Sequence, residues 1–346
     1  MPAVSSPAKV LVSGANGFLA VYIIKDLLER GYTIRGTVRS ESKNAYLLNL
    51  FKKEAQDGKF ELVVVPDITA PGAFDEAVKG VDAIEHTASP YHYKADDPSE
   101  IIDPAVKGTI GILESVLKHA GPQLKRVVVT SSISAIMSPE SNGVLTEKNW
   151  NDSSITQVRE LGRAADQGAK YRASKSLAEK VAWEFVEKNK SKIAWDLTTL
   201  CPPFVYGPIL HDVRSPEELN SSMALFYEAI FTKRKTLGEL AQIQSGWVDA
   251  RDVSLGHVRA LEVPAAGGER FILSGGEAIW QDWFDVLNEL DIPDFNVPVG
   301  TPGAGKAFKY KQTFDNSKAK EVLGIKFHEK PETALDIVND LRAKGW

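Results

Sequence analysis

Within the first two hundred residues, short runs that are apolar along their whole length alternate with stretches of helical periodicity. A strand that is apolar at every position must be covered on both faces, and that condition is met by a parallel sheet whose crossover connections are helices. The runs are Lys9–Ser13, Thr33–Val38, 60–65, 83–87, Arg126–Thr130 and 197–200. Between the first two, residues 18–30 place Ile23, Ile24, Leu27 and Leu28 on one stripe and stop at Gly31, a residue suited to the left-handed position after a helix. The pattern predicts an α/β protein with a doubly wound parallel sheet. After Gly207-Pro208 the alternation weakens into helical stretches, a strand near 270–273 and a Gly/Pro-rich connection at 297–306. We therefore expect a main domain over 1–207 and a smaller mixed α/β substrate region over 208–346, with a segment such as 246–260 returning to the main domain.

Charge and composition exclude several classes. With a net charge of −5 and no basic run beyond Lys233-Arg234-Lys235, the 346-residue chain lacks the electrostatic footprint of a nucleic-acid binder. No apolar run reaches the roughly 18 residues of a membrane span, and the beginning MPAVSSPAK does not read as a secretion signal, so the expectation is a cytoplasmic protein without a membrane partner. Cys201 is the only cysteine, and His86, His92, His119, His211, His257 and His328 are scattered without ligand-like spacing, so no metal site is expected.

The first strand runs directly into Gly14-Ala-Asn-Gly-Phe-Leu-Ala20 and then into a helix. Gly14 permits a tight turn, Gly17 lets backbone approach a pyrophosphate, and small Ala20 keeps helix and strand close. The helix N-terminus meanwhile directs N–H groups at the anion. This is a Rossmann-type dinucleotide loop with spacing G-x-x-G-x-x-A, and Asn16, Phe18 and Leu19 are its further cofactor contacts. Sites for NAD commonly end the second strand with an acid that holds the ribose hydroxyls. Here the strand ends in Val38-Arg39-Ser40, with Lys43 nearby, and two cations at that place suit a 2′-phosphate. The cofactor expected is NADPH/NADP⁺.

At the end of the fifth strand, Thr130-Ser131-Ser132 puts hydroxyls at the carboxyl edge of the sheet, where open α/β sheets bind ligands. Downstream, Tyr171 and Lys175 stand four apart on a strong helical pattern and so share a face. Hydride addition to a carbonyl carbon builds negative charge on oxygen, which calls for a proton donor and hydrogen-bond support. Tyr171 can give the proton, Lys175 can make the phenol more acidic, and Ser132 can hold the oxygen, with Ser131 as the rival for that last place.

The landmarks VSGANGF (12–18), TVRS (37–40), VVPDIT (64–69), HTASP (86–90), VVVTSS (127–132), YRASK (171–175) and PPFVYGP (202–208) together resemble one family. It is the extended short-chain dehydrogenase/reductases, in the branch of yeast NADPH-dependent methylglyoxal/aldehyde reductases and plant dihydroflavonol 4-reductases. The resemblance covers nearly the whole chain and implies an oxidoreductase that reduces a small aldehyde or ketone, as monomer or homodimer. It further implies that Asp67 and Ile68 flank the adenine, that Thr87 and Ala88 lie along the cofactor, and that Pro202, Val205 and Ser222 lie near the nicotinamide half. Tyr91, Tyr93, Ile133, Phe204 and Tyr206 are candidate pocket residues, while Asp249, Arg251 and Asp252 read as structural anchors. The resemblance does not place the Asn that serves as a fourth catalytic residue in some relatives. Two other functions fit parts of the pattern: a sugar-nucleotide epimerase or dehydratase that retains NAD, which Arg39 disfavours, and a silent NADP-binding regulator, which the intact Tyr171–Lys175 pair disfavours.

Overall fold

The computed structural model describes residues 3–89, 95–232, 240 and 244–346. Its strands are β1 (Lys9–Ser13), β2 (Thr33–Val38), β3 (Phe60–Val64), β4 (Ala83–His86), β5 (Arg126–Thr130), β6 (Gly143–Leu145), β7 (Asp196–Cys201), β8 (Phe204–Tyr206), β9 (Gln244–Asp249), β10 (Arg270–Ile272), β11 (Gly276–Ile279) and β12 (Gln312–Phe314). Seven of them form one sheet in the order β3-β2-β1-β4-β5-β7-β10, and every pairing in it is parallel. This is the Rossmann-like sheet that the apolar runs imply. The chain proceeds outward from β1 in one direction, then restarts beside it at β4 and proceeds in the other. The crevice outside the carboxyl ends of β1 and β4 is therefore the topological switch point at which such sheets bind ligands.

The reason for the wholly apolar runs is visible in β1 and β5. Val10 and Val12 join a core cluster on one face of the sheet while Leu11 joins the cluster on the other. Val128 likewise faces opposite to Val127 and Val129. Helices α1 (Phe18–Glu29), α2 (Asn44–Leu50), α3 (Lys52–Gln56), α4 (Ser99–His119), α5 (Asp152–Leu161), α6 (Gln167–Asn189), α7 (Ser221–Tyr227) and α8 (Ala250–Glu262) follow in order. Helices α1 and α8 cover one face, and α4 packs along α6 on the other. The stripe Ile23, Ile24, Leu27 and Leu28 of α1 is buried, at about 1.5–3 kcal/mol for each side chain. Gly31 takes the left-handed conformation at φ +87° just past the helix.

Residues beyond 208 contribute to both parts of the molecule. Strand β10 closes the edge of the central sheet beside β7, and α8 packs on α1. A second, three-stranded sheet orders β11-β9-β8, with Tyr206, Phe226, Trp247, Trp280 and Trp283 packed together over it. Asp249, Arg251 and Asp252 are anchors, as expected. Buried Asp249 takes Arg251 Nε and a second guanidinium nitrogen at 2.9 and 2.7 Å and the Thr333 hydroxyl at 2.7 Å, and Asp252 accepts from the His328 backbone at 2.8 Å. Strands β6, β8 and β12 have no counterpart in the sequence pattern, because three-residue strands carry no measurable periodicity.

Candidate active site

The phosphate loop is built by β1 and β2 together. Gly14 turns at φ +67°, and a Cβ there would sit 3.2 Å from both the Cα and the Cβ of Ala88, so a side chain at position 14 would crowd that wall. Gly14 N–H donates to the Thr37 hydroxyl at 3.2 Å and Ala15 N–H to the Thr37 carbonyl at 2.8 Å. Helix α1 begins after Gly17 with no side-chain cap and no acid in its first turn, which leaves its leading N–H groups directed at the crevice. Asn16 and Leu19 are half-buried. The Phe18 ring is buried and packs on Tyr22 and His211 at 5.9 and 5.3 Å, so Phe18 offers the crevice its backbone.

Ser13, which the sequence reading passed over, ties this loop to the next strand. Its Oγ accepts from Thr87 N–H and from Ala88 N–H, both at 3.0 Å, and donates its own hydrogen to His86 Nδ1 at 2.9 Å. Burial, with the nearby Lys175 ammonium as a second cause, lowers the His86 pKa to about 4, so the imidazole stays neutral and able to accept. Thr87 and Ala88 are thereby fixed along the crevice.

At the other end of the crevice, Arg39 and Lys43 are exposed just past β2 and form no ion pair among the described residues. Asp67 is exposed and folds back on Thr69, accepting from its N–H at 2.8 Å and its hydroxyl at 2.7 Å. These bonds, and then the charge of Arg39, hold its carboxyl below the usual range. Ile68 packs toward Gly108 on α4, where a Cβ would meet its Cδ1 at 3.0 Å.

Helix α6 carries Tyr171, Lys175 and Glu179 at four-residue steps on one face. Its N-terminus is capped by Asp166, which accepts from Ala169 N–H at 2.8 Å. Lys175 Nζ is buried, donates to the Ser89 hydroxyl at 3.0 Å and stands 5.8 Å from the centre of the half-buried Tyr171 ring. Loss of water around the ammonium lowers its pKa to about 8. Glu179 is 1% exposed and binds Arg270 of β10 at 2.7 and 3.1 Å, the Thr199 hydroxyl of β7 at 2.6 Å and the Ser131 hydroxyl at 2.7 Å. Ser131 is thus occupied with Glu179. Ser132 is turned differently: its Oγ accepts from Ser134 N–H at 3.1 Å and makes a long contact of 3.5 Å with the Pro202 carbonyl. Helix α6 packs on the turn Ile133–Ala135 that follows it. Ser89, Glu179 and Arg270 were not foreseen, since their partners are 86 and 91 residues distant in the sequence.

The remaining candidates are divided. Tyr91 and Tyr93 lie outside the described residues. Ile133 is packed in a small core cluster with Ile136, Leu145, Cys201 and Ile272. Phe204 is half-buried and stacks on Tyr206 with centroids 6.3 Å apart. Ser222 donates to the Val205 carbonyl at 2.6 Å, which brings it beside Pro202 and Val205 on the chain leaving β7. Helix α4 contains no Asn, and buried Asn151 is engaged with the Ser134 and Met137 carbonyls. Among the described residues no group of three His, Cys, Asp or Glu could hold a metal ion, and no helix is long and apolar enough to cross a membrane.

A seven-stranded Rossmann sheet with an open glycine loop at its switch point, and with Tyr171 and Lys175 on the helix beside the Ser132 turn, defines the class of dinucleotide-dependent enzymes with a Tyr–Lys helix. Comparison with known proteins narrows this. The profile of the NAD dependent epimerase/dehydratase family matches residues 10–274, and the chain belongs to that family. It is 36% identical over 344 residues to the NADPH-dependent methylglyoxal reductase of Saccharomyces cerevisiae, covering 96% of this chain and 97% of that protein. It is 35% identical over 354 residues to a ketoreductase of Aspergillus niger, covering 96% and 97%. The crystal structure of yeast methylglyoxal/isovaleraldehyde reductase complexed with NADPH superposes with a TM-score of 0.85 at 33% identity, covering 97% of this chain and 99% of that one.

Replacing Ser13 with Ala strands two backbone donors and the His86 nitrogen. Each buried group without a partner costs about 1–3 kcal/mol, so Ser13→Ala should lower unfolding free energy by at least about 2 kcal/mol in denaturant titration. A loss under about 0.5 kcal/mol, the size of a neutral surface change, would contradict the clamp.

Proposed function

We propose that this protein is an NADPH-dependent carbonyl reductase in which Tyr171 gives the proton, Lys175 makes the phenol acidic enough to do so, and Ser132 holds the carbonyl oxygen. The observation that carries the reading is the buried Lys175 ammonium, one helical turn from Tyr171 on a helix packed against the Ser132 turn. The relatives named as reductases at 35–36% identity along nearly the whole chain support the reaction class.

The crevice suits the cofactor. The wall at Gly14 leaves little room for a side chain beside Ala88, the α1 N-terminus is uncapped, and Arg39 stands where an NAD site would carry an acid. Gly14, Asn16, Gly17, Phe18 and Leu19 would hold the pyrophosphate through backbone N–H groups, and Arg39 with Lys43 the 2′-phosphate. Asp67 and Ile68 would border the adenine, Thr87 and Ala88 the middle, and Pro202, Val205 and Ser222 the nicotinamide. When bound, the nicotinamide supplies the hydride for the carbonyl carbon. As charge grows on the carbonyl oxygen, Ser132 donates a hydrogen bond to it and Tyr171 transfers its phenolic proton. With a pKa near 8, Lys175 is mostly charged at neutral pH and stabilises the tyrosinate that remains.

The test is NADPH oxidation with a panel of small aldehydes, ketones and diketones, methylglyoxal and isovaleraldehyde among them, against a nucleotide sugar. We expect turnover of small carbonyls, and a loss of about 10²–10⁴ in kcat for Tyr171→Phe with NADPH affinity retained. Turnover of the nucleotide sugar alone, or a Tyr171→Phe variant within a few-fold of the parent, would refute the assignment. The cofactor preference rests on Arg39. A charge-assisted bond to phosphate is worth about 1.5–3 kcal/mol, or roughly 10- to 100-fold, less where salt screens an exposed site. Arg39→Ala should weaken NADPH by at least several-fold and leave NADH nearly unchanged. Equal losses for the two cofactors in steady-state kcat/KM would exclude this role.

A further inference from the structure

The residue before Tyr171 is a lysine whose side chain is almost wholly buried. Lys170 is 2% exposed, and its Nζ donates to three backbone carbonyls: Ala95 at 3.0 Å, Asp96 at 2.7 Å and Arg163 at 3.0 Å. A lysine ammonium has three N–H donors and no acceptor, so all of its hydrogen-bonding capacity is satisfied. One turn earlier Gln167 pairs with Ala95 in both directions, accepting from its N–H at 3.0 Å and donating to its carbonyl at 2.7 Å. The first turn of α6 therefore grips two segments, the chain entering α4 at 95–96 and the turn Gly162–Ala164.

The opposite end of the same crossover is also held by α6. The chain leaving β4 passes through Ser89, whose hydroxyl accepts from Lys175. Two lysines five residues apart on one helix thus anchor both flanks of the β4–α4 connection. Lys175 touches the flank next to the cofactor crevice, whereas the hydrogen bonds of Lys170 among the described residues go to the far flank and to Arg163. A buried ammonium is costly unless its charge is compensated, and three aligned carbonyls are the compensation present.

Resting on the reductase reading, we propose that Lys170 is a positioning residue for the carbonyl side of the active site. It fixes the chain at 95–96 and the Gly162–Ala164 turn against the helix turn that bears Tyr171, and so sets the space in which the carbonyl substrate meets the phenol. It has no part in holding NADPH.

Lys170→Met keeps the length of the side chain and removes its donors, and Gln167→Ala, at an exposed position, is the milder companion should that variant fail to fold. Three quantities decide the matter: amide hydrogen exchange, the dissociation constant of NADPH from its fluorescence, and kcat and KM with methylglyoxal. Loss of charged hydrogen bonds predicts exchange at 95–97 and 162–165 faster by at least about tenfold and KM raised by about tenfold. Over the same change the NADPH constant and exchange at 12–20 should stay within about twofold. Gln167→Ala should move the same quantities in the same direction by less. Unchanged exchange at 95–97, kinetic constants equal to the parent in a folded variant, or NADPH affinity falling in step with kcat/KM would each overturn the proposal. If the parent reduces no carbonyl compound, the reductase reading fails by that result alone, while the exchange pattern still decides whether Lys170 is the clamp.

Discussion

The arrangement of the site depends on one buried ion pair, Glu179 with Arg270. The groups proposed to react arrive from two directions: Ser132 at the end of a strand, Tyr171 and Lys175 on a helix packed on the sheet face. Apolar packing between helix and sheet is non-directional and tolerates sliding. Glu179 supplies direction. Its carboxylate is bound simultaneously by Arg270 from β10, Thr199 from β7 and Ser131 at the end of β5, and it sits one turn beyond Lys175. The spacing between the serine turn and the Tyr–Lys face is thus tied to directional hydrogen bonds from three strands to one carboxylate. Arg270 is itself held by the Asn149 carbonyl at 3.0 Å and by the Trp150 ring, whose centroid lies 3.6 Å from its Cζ. Such a pair need not add net stability, but removing one partner leaves a buried charge at a cost of about 3–5 kcal/mol, so the geometry has little freedom to drift.

The cofactor crevice is organised separately, by neutral hydrogen bonds. Ser13 satisfies two N–H groups of the 87–88 segment and donates a hydrogen bond to a histidine that burial keeps uncharged. The two systems meet at 86–89, where His86 serves the phosphate loop and Ser89 receives Lys175.

Much of this was legible in the sequence. The central strands were readable since runs such as Val127-Val128-Val129 must be covered on both faces, and the glycine loop since its place between β1 and α1 gives the glycines a mechanical purpose. Tyr171 and Lys175 were readable because a four-residue step is a property of the helix itself. The short strands β6, β8, β11 and β12 escaped, being too brief for periodicity and stabilised by partners far along the chain. Ser13, Ser89, Lys170, Glu179 and Arg270 escaped for the same reason: a serine or a charged residue looks alike whether it faces water or closes a long-range hydrogen bond. That the Ser131 hydroxyl is taken up by Glu179 while Ser132 is not follows from a contact 48 residues apart, which no local pattern contains.

The dependence on Glu179 is most directly tested by a double-mutant cycle of Glu179→Gln and Ser131→Ala, read as kcat/KM for carbonyl reduction with NADPH affinity measured alongside. If the carboxylate sets the serine turn against the Tyr–Lys helix through Ser131, the losses will be non-additive by at least about 1 kcal/mol while NADPH affinity holds, as for residues in one hydrogen-bonded network. Losses that add within about 0.3–0.5 kcal/mol, the behaviour of independent sites, would contradict it.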